Sequence, residues 1–244
     1  MRQATLSKTN PTAREFDQFY GRIDPWGIRN TVPELARQAR LNQEFRHCRF
    51  ENGLDIGCGE GHLTAALRFV RHFDAIDVSQ VALERARTAY PHIDFKQLGL
   101  ADLGRLPAAR YDFISCFETL YYLSEDGERE AALRAIKERG RERCVFCFSV
   151  VIVGENEHRR YFSYDGAVAF FKRQFNIIHH FPITLGSLAT LPWTARLERV
   201  RLRLLGSKER RIAHYEQLLR QTPPEKAYQC VFVLVKNDSE MLAD

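Results

Sequence analysis

The chain has 244 residues with a net charge of +5, 45% hydrophobic and 27% charged residues. That is the composition of a globular protein with a sizeable core, and it excludes an intrinsically disordered chain. The first ten residues, Met1 to Asn10, hold no apolar run of the kind a secretory leader needs. The longest apolar run, Cys144 to Val153, is interrupted by Ser149 and is too short to span a bilayer. A cytoplasmic protein without a transmembrane segment is expected. The Cys144 and Cys147 pair has C-x-x-C spacing, but it lies in a strand-like segment with no second pair to complete a tetrahedral site. Buried free thiols and no metal are expected.

In chain order, residues 1–12 read as a loose arm. Helical pattern runs from Thr12 to Cys48, broken at Gly21 to Gly27, with Leu35, Ala39 and Phe45 as the apolar stripe of the second helix. From Gly53 the rhythm becomes strand, turn, helix. Strands are predicted at Gly53 to Ile56, Phe73 to Val78, His92 to Leu98, Tyr111 to Phe117, Cys144 to Val153, Phe175 to Phe181 and Gln229 to Lys236. Helices are predicted at His62 to Val70, Gln80 to Tyr90, Glu128 to Arg139 and Asp165 to Arg173, with Ser79 as an N-cap.

The early strands are continuous apolar runs, as a sheet covered on both faces requires. The fold class is therefore α/β: a Rossmann-like, doubly wound, mostly parallel seven-stranded sheet with helices on both faces and an antiparallel edge strand. Four regions are expected. They are an N-terminal helical lid (1–48), a nucleotide-binding core (49–186), a basic helical insertion (187–227), and a last core strand with its tail (228–244).

The chemistry concentrates at Asp55-Ile56-Gly57-Cys58-Gly59-Glu60-Gly61, between a strand and a helix. Glycine permits the sharp turn and lets a ligand approach the backbone, and the following helix offers free N–H groups. Asp77 ends the next strand 20 residues after Gly57, where a carboxylate can accept both hydroxyls of an adenosine ribose. Dinucleotide-binding turns read G-x-G-x-x-G; the spacing D-x-G-x-G-x-G differs and carries an acid before the first glycine.

This pattern resembles motif I of class I S-adenosylmethionine (SAM)-dependent methyltransferases. The resemblance implies SAM as cofactor and S-adenosylhomocysteine as product, bound by Asp55, Gly57, Cys58, Gly59, Asp77 and Val78. Family members usually place an acid after the third strand to meet the adenine amino group. Here Gly99 stands at that position, so either Asp102 or the backbone N–H of Leu100 takes the role. Cys116 would lie near the cofactor ribose or sulfur. Asp24-Pro25-Trp26 and Glu118-Thr119-Leu120-Tyr121-Tyr122-Leu123 together resemble the subgroup related to nodulation protein S, which N-methylates an amino sugar. In that reading Trp26 packs over SAM and Arg29 reaches its carboxylate.

Ligands of a doubly wound sheet bind beyond the C-terminal strand ends. That nominates Glu118 to orient or deprotonate the nucleophile, Tyr121 and Tyr122 as an aromatic collar, and His158 in the Glu155-Asn156-Glu157-His158 segment after strand five, beside Arg159 and Arg160. Residues 187–227 hold nine Lys/Arg against four Glu, the whole net excess, with Arg196, Arg199 and Arg203 on one helical face. An anionic acceptor, phosphorylated or sugar-like, is the expected partner. No N-P-P-Y-like tetrapeptide follows strand four, which speaks against RNA or protein as the acceptor. A SAM-binding regulator without catalysis is the other alternative.

Overall fold

The computed structural model describes residues 10–27, 29–123, 125–152, 162–185 and 206–237. His158, its neighbours Glu155, Asn156, Glu157, Arg159 and Arg160, and the arginines at 196, 199 and 203 lie outside them.

Seven strands form one sheet in the order β3-β2-β1-β4-β5-β7-β6. They are β1 (Phe50–Ile56), β2 (Val70–Asp77), β3 (Asp94–Gln97), β4 (Tyr111–Phe117), β5 (Gly140–Val151), β6 (Phe175–Thr184) and β7 (Gln229–Lys236). β1 to β5 pair in parallel, whereas β7 runs antiparallel to both β5 and β6. The late hairpin therefore sits at the sheet edge as expected, with β6 outermost and β7 one place in. The chain winds from β1 through β2 to β3 in one direction and from β4 to β5 in the other. The gap between the ends of β1 and β4 is thus the topological switch point, where this fold leaves room for a ligand.

Side chains alternate along each strand into two cores. Leu54, Ile56, Ile114, Cys116, Phe146 and Phe148 pack with Leu133 and Ile136 of α5 (Asp126–Arg139) and with Phe170 and Phe171 of α6 (Tyr164–Lys172). On the other face, Phe73, Ala75, Phe113, Cys147 and Val233 pack with Leu83 and Ala86 of α4 (Gln80–Ala89) and with Leu41 of α2 (Val32–Glu44). Cys144 and Cys147 fall in opposite cores. All six cysteines are free; Cys48 and Cys58 are half-buried and the other four are buried. Among the described residues, no helix is long and apolar enough to cross a membrane.

Some element boundaries depart from the sequence pattern. α3 spans only His62–Ala66, not His62 to Val70. Leu67 and Val70 keep the helical spacing, but Asn42 of α2 ends the helix from outside. Its side-chain amide donates to the Ala66 carbonyl at 2.8 Å, and its carbonyl oxygen accepts the Arg68 N–H at 2.8 Å. Val70 then opens β2, paired with Phe50. β1 begins three residues before Gly53, because Asp112 accepts the backbone N–H groups of Glu51 and Asn52.

α2 also turns a different face inward. Ala36, Arg37, Arg40 and Leu41 are buried, while Leu35 and Ala39 are half-buried. The displaced stripe has two causes: Ala36 packs on Tyr215 and Leu219 of α7 (Lys208–Gln221), and Arg37 is drawn inward by carboxylates described below. Phe45 is buried as expected.

Candidate active site

A cavity of about 940 Å³ opens at the switch point. Its floor is the turn after β1. Gly57 and Gly59 have φ of +77° and +54°, a left-handed conformation that side chains resist. A Cβ on Gly57 would lie 2.1 Å from Thr119 Oγ1, and one on Gly59 would lie 2.6 Å from Tyr20 Oη. Both positions need glycine for space as well as for backbone conformation.

Two buried carboxylates hold this turn. Asp55 accepts from the hydroxyls of Thr64 and Ser115, the latter at 2.7 Å. Asp77 accepts the Gly59 N–H on one oxygen and the Ser79 N–H on the other, both at 2.8 Å. Each Asp77 oxygen keeps a further acceptor position. Burial raises the pKa of both acids, and the hydrogen bonds they accept only partly oppose it.

For Asp55 this has a measurable consequence. A carboxyl whose folded-state pKa lies above its unfolded value of about 3.9 loses stabilising effect as pH rises through that window. A neutral residue there carries no such penalty, and both hydroxyls can rotate to serve an amide. The Tm of Asp55→Asn relative to wild type should therefore rise between about pH 4 and pH 8. Thermal melts along that pH series check it, and a flat or falling difference would show that burial does not burden the ionised acid.

The remaining expected cofactor residues divide. Val78, Gly99, Leu100 and Asp102 line the cavity beside Asp77. Asp102 turns one oxygen back to accept the Gly99 N–H at 3.1 Å, capping the 3₁₀ turn Leu100–Arg105. Cys58 also lines the cavity; burial, then Asp77, pushes its thiol far above the ordinary range. Cys116 does not fit its expected place. It is fully buried in β4, opposite Ile56, and is not a lining residue. Strand alternation turns it into the core with Ile114.

The N-terminal segment covers the turn. Trp26 packs on Phe19, with ring centroids 4.6 Å apart, and its indole N–H donates to Tyr20 Oη at 3.1 Å. Arg29 lies exposed at the rim, its backbone N–H donating to Asp24 at 3.0 Å. Tyr20 had no sequence signal, yet it is buried against Gly59. Burial, then Asp77, raises its pKa.

Beyond β4 lies the other end of the cavity. Glu118 has φ +50°, uncommon for a residue with a side chain. Its N–H donates to Ser149 Oγ at 3.1 Å, and that hydroxyl donates to Glu118 Oε1 at 2.5 Å. Its other oxygen, Oε2, accepts from Arg37 Nη1 at 2.7 Å. Arg37 also meets Glu34 at 2.8 Å. Burial works against the charged guanidinium, but Glu118 and then Glu34 outweigh it and raise the Arg37 pKa. Tyr121 and Tyr122 line the same end, with ring centroids 4.5 Å apart. Tyr122 also meets Phe16 of α1 (Ala13–Phe19) edge-on.

Residues 54–142 match the family model for a methyltransferase domain. Residues 54–142 thus carry a methyltransferase domain. A probable SAM-dependent methyltransferase of Mycobacterium tuberculosis is 32% identical over 102 residues, 38% of this chain and 37% of that protein. Nodulation protein S of Bradyrhizobium diazoefficiens is 30% identical over 117 residues, 46% of this chain and 54% of that one. The chain thus matches from about a third to about half the length of these curated relatives. The N-methyltransferase NodS from Bradyrhizobium japonicum, solved with S-adenosylhomocysteine, superposes with a TM-score of 0.65 at 15% identity, covering 92% of this chain and 97% of that one.

The cavity of this methyltransferase domain suits a SAM-sized ligand by its own chemistry. Asp77 offers free acceptor positions to vicinal hydroxyls, and Gly59 lines the cavity beside it without a side chain. Among the described residues the lining is also sharply acidic, with seven Asp and Glu against two Arg, in a chain whose net charge is +5. Such a cavity favours cations.

Proposed function

We propose that the protein transfers a methyl group from SAM to an amine nitrogen of a small molecule. The acidic lining carries this reading. A phosphorylated acceptor would bring negative charge against Glu34 and Glu118, whereas an amine brings a donor or a cation. The N-methyltransferase described for the structurally similar Bradyrhizobium protein is in keeping with it.

Asp77 and Gly59 bind the ribose. Val78 and the Leu100 and Asp102 turn bracket the adenine, and Asp55 and Cys58 shape the loop. Trp26, with Arg29 at the rim, closes over the ligand. When bound, SAM supplies an activated methyl on a sulfonium. Glu118 and Tyr121 bind and orient the acceptor, which must arrive as a neutral amine with its lone pair in line. The nitrogen lone pair forms the new bond to carbon, the carbon–sulfur pair stays on sulfur, and an N–H proton leaves to solvent. Glu118 is read as an orienting anion: Arg37 and Ser149 each hold one of its oxygens in place, and each oxygen keeps a further acceptor position for the amine.

Salt dependence does not discriminate between acceptor classes, because screening weakens attraction of either sign. The acceptor's own charge does. Tritium-labelled methyl transfer is measured to ethanolamine and glucosamine, to their alcohol counterparts ethylene glycol and glucose, and to glucosamine 6-phosphate. Label should enter the amines, and the added phosphate should reduce transfer by about tenfold. Transfer to alcohols in preference to amines, gain from the phosphate, or label in none of the amines would contradict the proposal.

A further inference from the structure

We infer that Arg37 is a positioning residue that holds the Glu118 carboxylate at the reacting end of the cavity, where it reads positive charge on the bound ligands. The inference rests on the reading that the cavity takes SAM.

Arg37 sits on α2, buried to 6% exposure, 81 positions from the glutamate it holds. A guanidinium in such a place must be paired. Its Nη1 and Nη2 each take one carboxylate, from Glu118 and Glu34, while its buried Nε has no partner among the described residues. Among those residues the two carboxylate contacts fix the group. One cation between two anions leaves the cluster with a net single negative charge.

Glu118 needs such an anchor. Its backbone is left-handed, a strained state that persists only where surroundings over-determine it. Ser149 fixes it from β5 and Arg37 fixes it from α2. The next residue, Thr119, has its hydroxyl 3.0 Å from the Phe117 carbonyl and 3.3 Å from the Ile56 carbonyl and fills the space against Gly57. The carboxylate is thus tied to the loop that carries the cofactor, on the strand end facing the switch point. Two carboxylates without Arg37 would repel each other, and Glu118 would swing out of place.

The test needs no acceptor. SAM carries a sulfonium, sinefungin an ammonium-bearing carbon at the same position, and S-adenosylhomocysteine a neutral sulfur. Calorimetric Kd values for the three ligands are compared in wild type, Glu118→Gln, Arg37→Met and Arg37→Lys. The readout is the preference for the charged ligands over S-adenosylhomocysteine. Glu118→Gln should lower that preference about tenfold, by loss of one nearby anion, with S-adenosylhomocysteine affinity within about twofold of wild type.

Arg37→Met separates two roles. Removing a positive charge raises the preference if Arg37 only neutralises its neighbours. If Arg37 positions Glu118, the preference falls about as far as in Glu118→Gln. Arg37→Lys keeps the charge and the fold but not the two-pronged grip, and should fall between wild type and Arg37→Met. A rise in Arg37→Met, or an unchanged preference in both Arg37→Lys and Glu118→Gln, would overturn the inference. Failure of wild type to bind any of the three ligands would instead overturn the cofactor reading.

Discussion

Asp77→Ala is expected to weaken SAM binding by about 2–3 kcal/mol, or about 30- to 150-fold, the value of hydrogen bonds to a charged group. Two losses act together. The ribose hydroxyls lose their acceptor, and the buried Gly59 N–H loses the oxygen that holds the turn at 2.8 Å. Asp77→Asn keeps one acceptor oxygen but sets an amide NH₂ against one of the two backbone donors, so it should fall between wild type and alanine. Calorimetry on the three proteins gives the order. Unchanged affinity in Asp77→Ala would remove this acid from the site.

The second large effect is on stability. Gly57→Ala must place a Cβ 2.1 Å from Thr119 Oγ1 in a backbone with φ +77°. A left-handed L-residue and an overpacked contact together cost about 2–4 kcal/mol. Thr119→Ala removes the hydroxyl and the methyl that the new Cβ strikes, leaving the backbone cost and a 3.1 Å approach to the Thr119 Cβ. The double variant should therefore be more stable than the sum of the two single effects allows by about 1–2 kcal/mol, a coupling of the size found for residues in contact. Urea unfolding of the two single variants and the double variant measures it. Gly57→Ala with wild-type stability would contradict the turn described here.

How far the sequence reaches into this site depends on the range of the interaction. The glycine turn, Asp55 and Asp77 are legible because each acts within a single strand–turn–helix unit, where spacing and residue type carry the information. β4 and β7 match their expected limits for a similar reason: each is a dense apolar run bounded by polar residues. The apolar spacing overruns the end of α3 because the residue that stops the helix, Asn42, is 24 positions away from Ala66. Arg37 and Glu34 look like any i,i+3 pair on a solvated helix face. Only the arrival of Glu118 from 81 positions away makes that face an inner one. Tyr20 is similarly unmarked in the sequence, since its role comes from where Gly59 lies. Cys116 went astray for the opposite reason. Its place at the end of β4 was right, but the alternation of the strand turns its side chain into the core.

The net charge of the protein and the charge of the described cavity lining differ in sign. The basic excess at 187–227 pointed towards an anionic acceptor, but the described cavity is acidic. Charge summed over a segment does not report the charge of the surface a ligand meets, and the described lining comes mostly from the N-terminal segment, α2, the turn after β1, and the ends of β2, β3 and β4.

The most direct test of the central claim is calorimetric titration of the wild-type protein with S-adenosylhomocysteine and, separately, with NAD. The account predicts one-to-one binding of S-adenosylhomocysteine that is weakened in Asp77→Ala, and no measurable heat from NAD. Binding of NAD as tight as that of S-adenosylhomocysteine, or no binding of S-adenosylhomocysteine, would contradict it.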